Sequence, residues 1–221
     1  CFPSLPPRHF EERCLICFNN SILDSCGICS TCKVFPLIFK TQRYLWEYEG
    51  QAKNLISYLK YRPSIRTAIF AANFLGLNSP RLFSFNDLDL VTPVPSSLMS
   101  LRKRGFSPTT LLASSVAKYL SLPLSLFSLQ HRGYNHYQVE LNAEQRLRNI
   151  KGAFVADPIS IKEKNILLVD DVITTGATST EAALVLLDNG ARNVSILSLA
   201  LAAPFHELRA HIHRVYNVNR L

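Results

Sequence analysis

The sequence has 221 residues, 48% of them hydrophobic, and a formal net charge of +8. This length and apolar content suffice for one α/β domain with a small appendage. The sequence contains no apolar run of transmembrane length and no signal-type segment, which argues against a membrane-inserted protein and predicts a cytoplasmic one.

The cysteines form the first distinctive pattern, because all six lie within the first 32 residues. This crowding argues against a disulfide framework distributed over the fold. The spacing C-x2-C occurs twice with eleven residues between, and each pair can present two thiolates to one tetrahedral zinc ion. We therefore predict a structural zinc site within a cysteine module over residues 1–40. The predicted ligands are Cys14, Cys17, Cys29 and Cys32.

Other interpretations of the cysteine module remain open from the sequence. Cys26 is the alternative fourth ligand, since it forms an overlapping C-x2-C pair with Cys29. Disulfides, an iron–sulfur cluster or a site that has lost its metal are further possibilities. A closed site of four thiolates leaves no open coordination position, so a bound zinc ion would stabilise the fold and take no part in chemistry.

Two helices are predicted after this module. The first is amphipathic within Tyr44–Tyr61, and Pro63 either breaks it or begins the second helix, which runs to about Leu77. Lys60 and Arg62 at the end of the first helix can reach a phosphate, but a solvated helix end is the favoured interpretation. The predicted core side of the first helix carries Leu55, Ile56 and Leu59.

A strand predicted over residues 88–95 ends in two prolines, and residues 101–106 are predicted to form a basic loop after it. Arginines in such a loop can bind a pyrophosphate. The loop belongs to a basic segment, Met99–Lys151, in which eight basic and two acidic residues give a net charge of +6. Such a segment attracts polyphosphate or nucleic acid, and a solvated basic surface is the alternative. The three basic loop residues are Arg102, Lys103 and Arg104.

The middle of the chain is predicted to contain a helix over Pro108–Leu120 and a strand over Leu122–Leu129. The next segment, His131–Ile150, is polar, basic and aromatic. It is a candidate flap over the site or a candidate surface for single-stranded nucleic acid, where aromatic rings stack on bases and arginines bind phosphates. An ordinary connecting loop is the alternative.

The most informative stretch covers residues 165–180. It begins with an apolar run without alternation, which predicts a parallel strand buried on both faces. Asp170 and Asp171 follow at its carboxyl end, where open α/β sheets bind ligands. The turn Thr174–Thr178 then offers hydroxyls, a glycine and the N–H groups of a helix start, all suited to a phosphate. Together they predict a ligand with a phosphate at one end and vicinal hydroxyls with a divalent cation at the other.

The last predicted elements are a helix from about Ala177 to Asn189, closed by Gly190, and a buried parallel strand over Val194–Leu201. An extension from Pro204 onward carries three histidines, and we expect a surface position for them rather than a metal site.

The stretch 165–180 resembles the thirteen-residue signature of the type I phosphoribosyltransferases, which bind 5-phosphoribosyl-1-pyrophosphate (PRPP). The resemblance implies that the acidic pair is catalytic, contacting the ribose hydroxyls and supporting Mg²⁺ coordination. It also implies that the Thr/Gly turn holds the 5′-phosphate and that the basic loop faces the pyrophosphate. The implied PRPP-binding residues are Asp170, Asp171, Thr174, Thr175, Gly176, Ala177, Thr178, Arg102, Lys103 and Arg104.

Shorter motifs in the same order along nearly the whole chain resemble the ComF family of competence-associated phosphoribosyltransferase-like proteins. They include Pro93-Val94-Pro95 before Arg104-Gly105-Phe106, Leu59-Lys60-Tyr61, and a segment from Gln138 to Phe154. The resemblance implies an α/β fold with a type I phosphoribosyltransferase-like parallel sheet flanked by helices over residues 41–221, preceded by the zinc-binding module.

Two functions compete from this resemblance. The first is transfer of phosphoribosyl from PRPP to an unknown nitrogen acceptor in a protein linked to DNA uptake. The second is a non-catalytic PRPP sensor that binds single-stranded DNA and works with a competence helicase. Two departures from the family pattern bear on catalysis: Ser107-Pro108 stands where the family has Asn-Gln, and Asn135 stands in place of a threonine.

Overall fold

The computed structural model describes residues 13–61, 64–83, 87–132, 150–202, 209 and 212–213. The strands in this part of the chain are β1 (Thr41–Glu47), β2 (Leu90–Pro93), β3 (Leu129–His131), β4 (Phe154–Ala156), β5 (Asn165–Ile173) and β6 (Asn193–Leu201). The helices are α1 (Ser30–Val34), α2 (Gly50–Tyr61), α3 (Ile65–Leu82), α4 (Leu98–Arg104), α5 (Pro108–Leu120), α6 (Pro158–Ile161) and α7 (Ala177–Asp188).

Among the described residues, the central sheet has four parallel strands in the order β1-β6-β5-β2. Strands β5 and β6 are buried along their whole length apart from their first residues, because helices and neighbouring strands cover both faces. Their apolar runs without alternation predicted this placement. The parallel α/β fold is therefore confirmed. A separate antiparallel pair, β3 with β4, lies outside this sheet.

Helices α3 and α5 pack closely against each other beside the sheet. Gly76 of α3 makes this approach possible, because a Cβ atom there would collide with Ser115 and lie 2.6 Å from Cδ2 of Tyr119. On α5, Leu112, Val116 and Leu120 are buried, and Leu111 is partly buried against the same core.

Three local predictions were wrong. Residues 101–106 do not form a loop: Ser97 caps helix α4, which runs to Arg104 and ends at Gly105 with a left-handed φ of 76°. Residues 122–129 do not form a continuous strand, because Leu124 makes only an isolated bridge to Val91 and β3 begins at Leu129. The second helix extends five residues beyond the predicted end at Leu77, to Leu82.

Strand β1 was not predicted and lies at one edge of the sheet, between β6 and the cysteine module. On one side it pairs with β6. On the other, Gln42 N donates to Ile16 O at 2.7 Å and the ring of Tyr44 meets that of Phe18 edge to face. The cysteine module thus packs directly on the domain that carries the sheet, and its predicted boundary at residue 40 stays a prediction.

Within the described ranges, no helix combines the length and the apolar character needed to cross a bilayer.

Candidate functional site

Asp170 and Asp171 lie near the carboxyl end of β5, and both are buried. Oδ1 of Asp170 accepts a hydrogen bond from the N–H of Asp171 at 2.8 Å, and Oδ1 of Asp171 accepts one from the N–H of Val172 at 2.7 Å. These bonds fix the orientation of both carboxylates, so each presents its second oxygen in a defined direction.

The two adjacent acids perturb each other. Burial first, and the neighbouring charge of Asp171 second, raise the pKa of Asp170 to about 7. The N–H of Asp171 and the ammonium of Lys60 oppose this shift. Burying two adjacent carboxylates costs free energy unless a cation or a hydrogen-bond donor compensates their charge. A carboxyl group with such a raised pKa is typical of functional sites.

Lys60 supplies a compensating charge that the sequence did not reveal. It lies near the end of α2, with Nζ 3.7 Å from Oδ1 of Asp171, and its side chain is 29% exposed. The interpretation of a solvated helix end is therefore wrong for Lys60, whereas Arg62 lies outside the described residues. The one sequence feature that points to this contact is the position of Lys60 directly after the buried Leu59, in the last turn of a helix that packs on the core.

The turn after β5 has the form of a phosphate loop. Gly176 adopts a left-handed conformation with a φ of 75°, and helix α7 begins at the next residue, Ala177. The hydroxyl of Thr175 accepts from the N–H of Ala177 at 3.3 Å, while Thr174 and Thr178 are partly exposed. A helix start with N–H groups and threonine hydroxyls facing one turn suits a phosphate dianion.

The basic residues after β2 lie at the same edge of the sheet. Strands β2 and β5 are parallel neighbours, and Val94 N donates to Val169 O at 2.8 Å, so the segments that follow the two strands leave from one side. Arg102 and Lys103 are exposed and Arg104 is half-buried. Among the described residues none of the three makes an ion pair.

Ser107 and Pro108 have a local structural role. Ser107 caps helix α5, accepting from Thr110 N at 3.3 Å, and Pro108 occupies the first turn, where its missing N–H has no cost. The hydroxyl of Ser107 also lies 3.1 Å from that of Ser96. Ser107 and Pro108, which stand where the ComF pattern has Asn-Gln, therefore form the start of helix α5 beside α4.

Glu181 is a second residue whose contact the sequence did not predict. Its side chain is buried on α7, and Oε1 accepts a hydrogen bond from Gly152 N at 2.6 Å. Gly152 follows the segment from His131 to Ile150, of which only His131, Arg132 and Ile150 are among the described residues. The predicted flap or nucleic-acid surface therefore lies outside the described part, but its carboxyl end is anchored to the helix that begins at the phosphate loop.

The cysteine cluster is buried and compact. The sulfur atoms of its four residues lie within 4.8 Å of one another, and two pairs, Cys14 with Cys32 and Cys17 with Cys29, are 3.7 Å apart. Four sulfurs at 2.3 Å from a tetrahedral ion are about 3.8 Å apart, so the spacing fits zinc. The cluster residues are Cys14, Cys17, Cys29 and Cys32.

Cys26 does not belong to this cluster. It is exposed, and none of the cysteines in the described part forms a disulfide. The buried guanidinium of Arg209 lies against the cluster, and its Nη1 donates to Sγ of Cys32 at 3.2 Å. The half-buried Arg43 donates from Nη2 to the carbonyl of Leu15 at 3.0 Å. The Cys17 thiol first, and the Arg209 guanidinium after it, lower the pKa of Cys32 to about 5. The thiolate that binds metal is thus favoured at Cys32, whereas the hydrogen bond with Cys32 raises the pKa of Cys17 and burial raises that of Cys29.

Of the three C-terminal histidines, His206 and His211 lie outside the described residues. His213 Nε2 lies 2.6 Å from the carbonyl of Pro36 and its ring meets that of Phe35 edge to face.

Comparison with known proteins gives a consistent result. The phosphoribosyl transferase domain family matches residues 98–219. The chain is 27% identical to the DNA utilization protein YhgH of Escherichia coli (strain K12), over 82% of this chain and 84% of that protein. It is 24% identical to competence protein F of Haemophilus influenzae, over 87% and 98%, and 27% identical to competence protein ComFC of Streptococcus pneumoniae, over 86% and 80%.

Solved structures similar to this chain include the glutamine PRPP amidotransferase from B. subtilis, with a TM-score of 0.47 and 18% identity. The adenine phosphoribosyltransferase from Leishmania donovani gives 0.43 and 19%. They match 65% and 71% of this chain, which spans 30% and 61% of theirs.

Proposed function

Since the chain belongs to the phosphoribosyl transferase domain family and, within it, to the ComF family, we propose that it binds PRPP together with Mg²⁺. One observation carries this proposal: two buried, oriented carboxylates stand directly before a left-handed glycine and a helix start. The acids match the vicinal hydroxyls of a ribose and the helix start matches its 5′-phosphate. The basic residues of α4, at the same edge of the sheet, match the pyrophosphate.

In this proposal each part of the site has a separate task. The second oxygens of Asp170 and Asp171 accept hydrogen bonds from the ribose 2′- and 3′-hydroxyls, while the turn from Thr174 to Thr178 binds the 5′-phosphate. Residues Arg102, Lys103 and Arg104 compensate the charge of the pyrophosphate. Bound Mg²⁺ would supply charge neutralisation, with oxygens from diol and pyrophosphate among its ligands.

We propose further that the protein transfers the phosphoribosyl group. The bond between the anomeric carbon and pyrophosphate breaks, pyrophosphate leaves with the electron pair, and a nitrogen nucleophile forms the new bond and loses its proton. The site contributes by holding the ribose and the leaving group in one geometry and by compensating the charge that develops on pyrophosphate.

Calorimetry with PRPP and Mg²⁺ tests the binding proposal. We expect binding by the wild type, and a loss of at least about tenfold in affinity when Asp170→Ala and Asp171→Ala are combined, which corresponds to about 1.4 kcal/mol. Absence of binding by the wild type would refute the proposal.

The proposed transfer is tested by measuring pyrophosphate release across a panel of nucleobases and amines. Release with one acceptor establishes transfer, and binding of PRPP without release excludes transfer for that panel.

A second candidate function is binding of single-stranded DNA in natural transformation together with a helicase. The names of the relatives, DNA utilization protein and competence protein, favour it, as do the exposed cations of α4. Affinity for a labelled single strand should fall steeply with salt, and neutralising Arg102, Lys103 and Arg104 together should reduce the slope by up to about two, since contacts with single strands contribute about 0.7 each. A salt-independent affinity would contradict this function.

The metal and the location are also proposals. We infer that the cysteine cluster holds zinc, because the sulfur spacing and the guanidinium of Arg209 beside Sγ of Cys32 suit that ion. Metal analysis of the purified protein, with one zinc per chain expected, tests this. The cytoplasmic location stays a prediction, to be checked by cell fractionation.

A further inference from the structure

A short C-terminal segment contacts both the cysteine cluster and the phosphate loop. Arg209 is 1% exposed and donates from Nη1 to Sγ of Cys32 at 3.2 Å. Three residues later Ile212, 5% exposed, packs in a small apolar cluster with Ala177 and Ile150. One segment therefore contacts a cysteine of the cluster at one end and the first residue of α7 at the other.

The remaining contacts hold the same segment in place. His213 lies 2.6 Å from the carbonyl of Pro36, just after the helix of the cysteine module. A small cavity is bordered by this segment, by the chain from Pro36 to Ile38 and by Thr180, one turn into α7. Arg209, Ile212 and His213 thus lie between the cysteine module and the beginning of α7.

The contact with Ala177 has a direct consequence for phosphate binding. Gly176 has no side chain, so it cannot anchor the loop, and Ala177 contributes only a methyl group. Ile212 covers that methyl, and Ile150 packs on the same cluster. A phosphate loop binds tightly when its N–H groups are held in the bound geometry beforehand, since ordering them on binding costs free energy.

The contact with Cys32 connects this anchor to the metal. Four thiolates around a divalent zinc ion leave two net negative charges, and the buried guanidinium of Arg209 lies where it can compensate one of them. When the metal leaves, Sγ of Cys32 is no longer held in place by the ion, so the position of Arg209 against it is less restricted.

We propose that Arg209 and Ile212 are positioning residues which connect the cysteine cluster to the phosphate loop, so that affinity for a 5′-phosphate depends on the metal. The inference rests on the proposed function, because it assumes that the turn after β5 binds the 5′-phosphate of PRPP.

The test compares the wild type with Ile212→Ala and with the control Ile159→Ala, whose side chain is 91% exposed on α6. Binding of ribose 5-phosphate and of Mg²⁺-pyrophosphate is measured by calorimetry, and zinc content by metal analysis. We expect Ile212→Ala to weaken ribose 5-phosphate binding about fivefold, with zinc content and pyrophosphate affinity unchanged. The control should change none of the three quantities.

A second arm removes the metal with a chelator. In the wild type, metal removal should weaken ribose 5-phosphate binding about fivefold and spare pyrophosphate binding; in Ile212→Ala it should have little further effect. Equal affinity of Ile212→Ala and wild type, equal affinity with and without metal, or parallel loss of both ligands would each overturn the inference. If the metal-loaded wild type binds neither PRPP nor ribose 5-phosphate, the proposed function itself fails.

Discussion

At the scale of single residues, the acidic pair shows how burial and a neighbouring charge perturb a carboxyl group. Burial and the charge of Asp171 raise the pKa of Asp170 to about 7, and Lys60 acts in the opposite direction. Asp170 is therefore only partly ionised near neutral pH when no ligand is present. A ligand that brings a cation and two hydroxyl donors favours the ionised form, so binding and proton release are coupled.

Replacement of Lys60 tests this coupling. PRPP affinity of the wild type should increase as pH rises through about 7, because Asp170 then loses the proton that blocks hydrogen-bond acceptance. In Lys60→Met the pKa of Asp170 rises further, so the midpoint should move to higher pH and the affinity at neutral pH should fall about tenfold. Lys53→Met, an exposed lysine on the same helix, is the control. An unchanged pH midpoint in Lys60→Met, measured by calorimetry, would contradict this role.

The residues of the site differ in how far the sequence predicts them. Asp170, Asp171 and the turn that follows are contiguous, so a single strand–turn–helix pattern places them together. Lys60 and Glu181 contribute through tertiary contacts, one from α2 and one to Gly152. Such contacts depend on how helices pack on the sheet, which hydrophobic periodicity does not specify at the level of individual atoms.

At the scale of elements, the close packing of helices α3 and α5 requires a glycine at position 76. Gly76 lies in the interior of α3, where glycine is normally unfavourable to helix stability by about 1 kcal/mol relative to alanine. The collision of an added Cβ with Ser115 and Tyr119 shows why a glycine stands there.

Gly76→Ala should therefore destabilise the protein despite the gain in helix propensity. Separating two packed helices to make room for a methyl group costs about 1–3 kcal/mol, which exceeds that gain. Asn54→Ala, at an exposed position of α2, is the matched control and should be neutral or slightly stabilising. Urea denaturation measures both, and an increase in unfolding free energy for Gly76→Ala would show that the helices can move apart without cost.

The predictions of helices, strands and loops were wrong where the local sequence is compatible with more than one structure. A serine cap, three basic residues and a glycine can form a loop or a short helix, and the last turn of α4 is stabilised by cations near its carboxyl end. The extended residues 122–128 lie beside β2 but pair with it only around Leu124. Strand β1 was missed because its pairing partner, β6, lies at the other end of the sequence. The buried strands β5 and β6, by contrast, carried an unambiguous signal.

At the scale of the whole molecule, the cysteine module is attached to the main domain by β1 on one side and by Arg209 on the other. Its four sulfurs form a buried cluster and Cys26 does not take part. We therefore expect the module to stabilise the whole chain only while its four sulfur atoms are held together.

Cys29→Ser and Cys26→Ser form a matched pair of variants that tests this contribution. Cys29→Ser should lose the metal and lower the free energy of unfolding by at least about 3 kcal/mol, because a structural zinc site contributes its binding energy to folding. Cys26→Ser should keep both the metal and the stability of the wild type. Thermal denaturation with metal analysis distinguishes the two, and loss of metal in Cys26→Ser would assign a ligand role to that residue.

The contact between Arg209 and Cys32 joins residues 177 positions apart in the sequence, and this has a consequence for biosynthesis. During translation the cysteines leave the ribosome well before Arg209, which lies 177 positions after Cys32. If the cluster binds zinc as proposed, the nascent chain would hold it during that interval without this counter-charge, and for most of the interval without β6. Arg209 can dock only after the cysteines have emerged, so ribosome-arrested chains that end before residue 209 should release bound zinc faster than chains that contain Arg209.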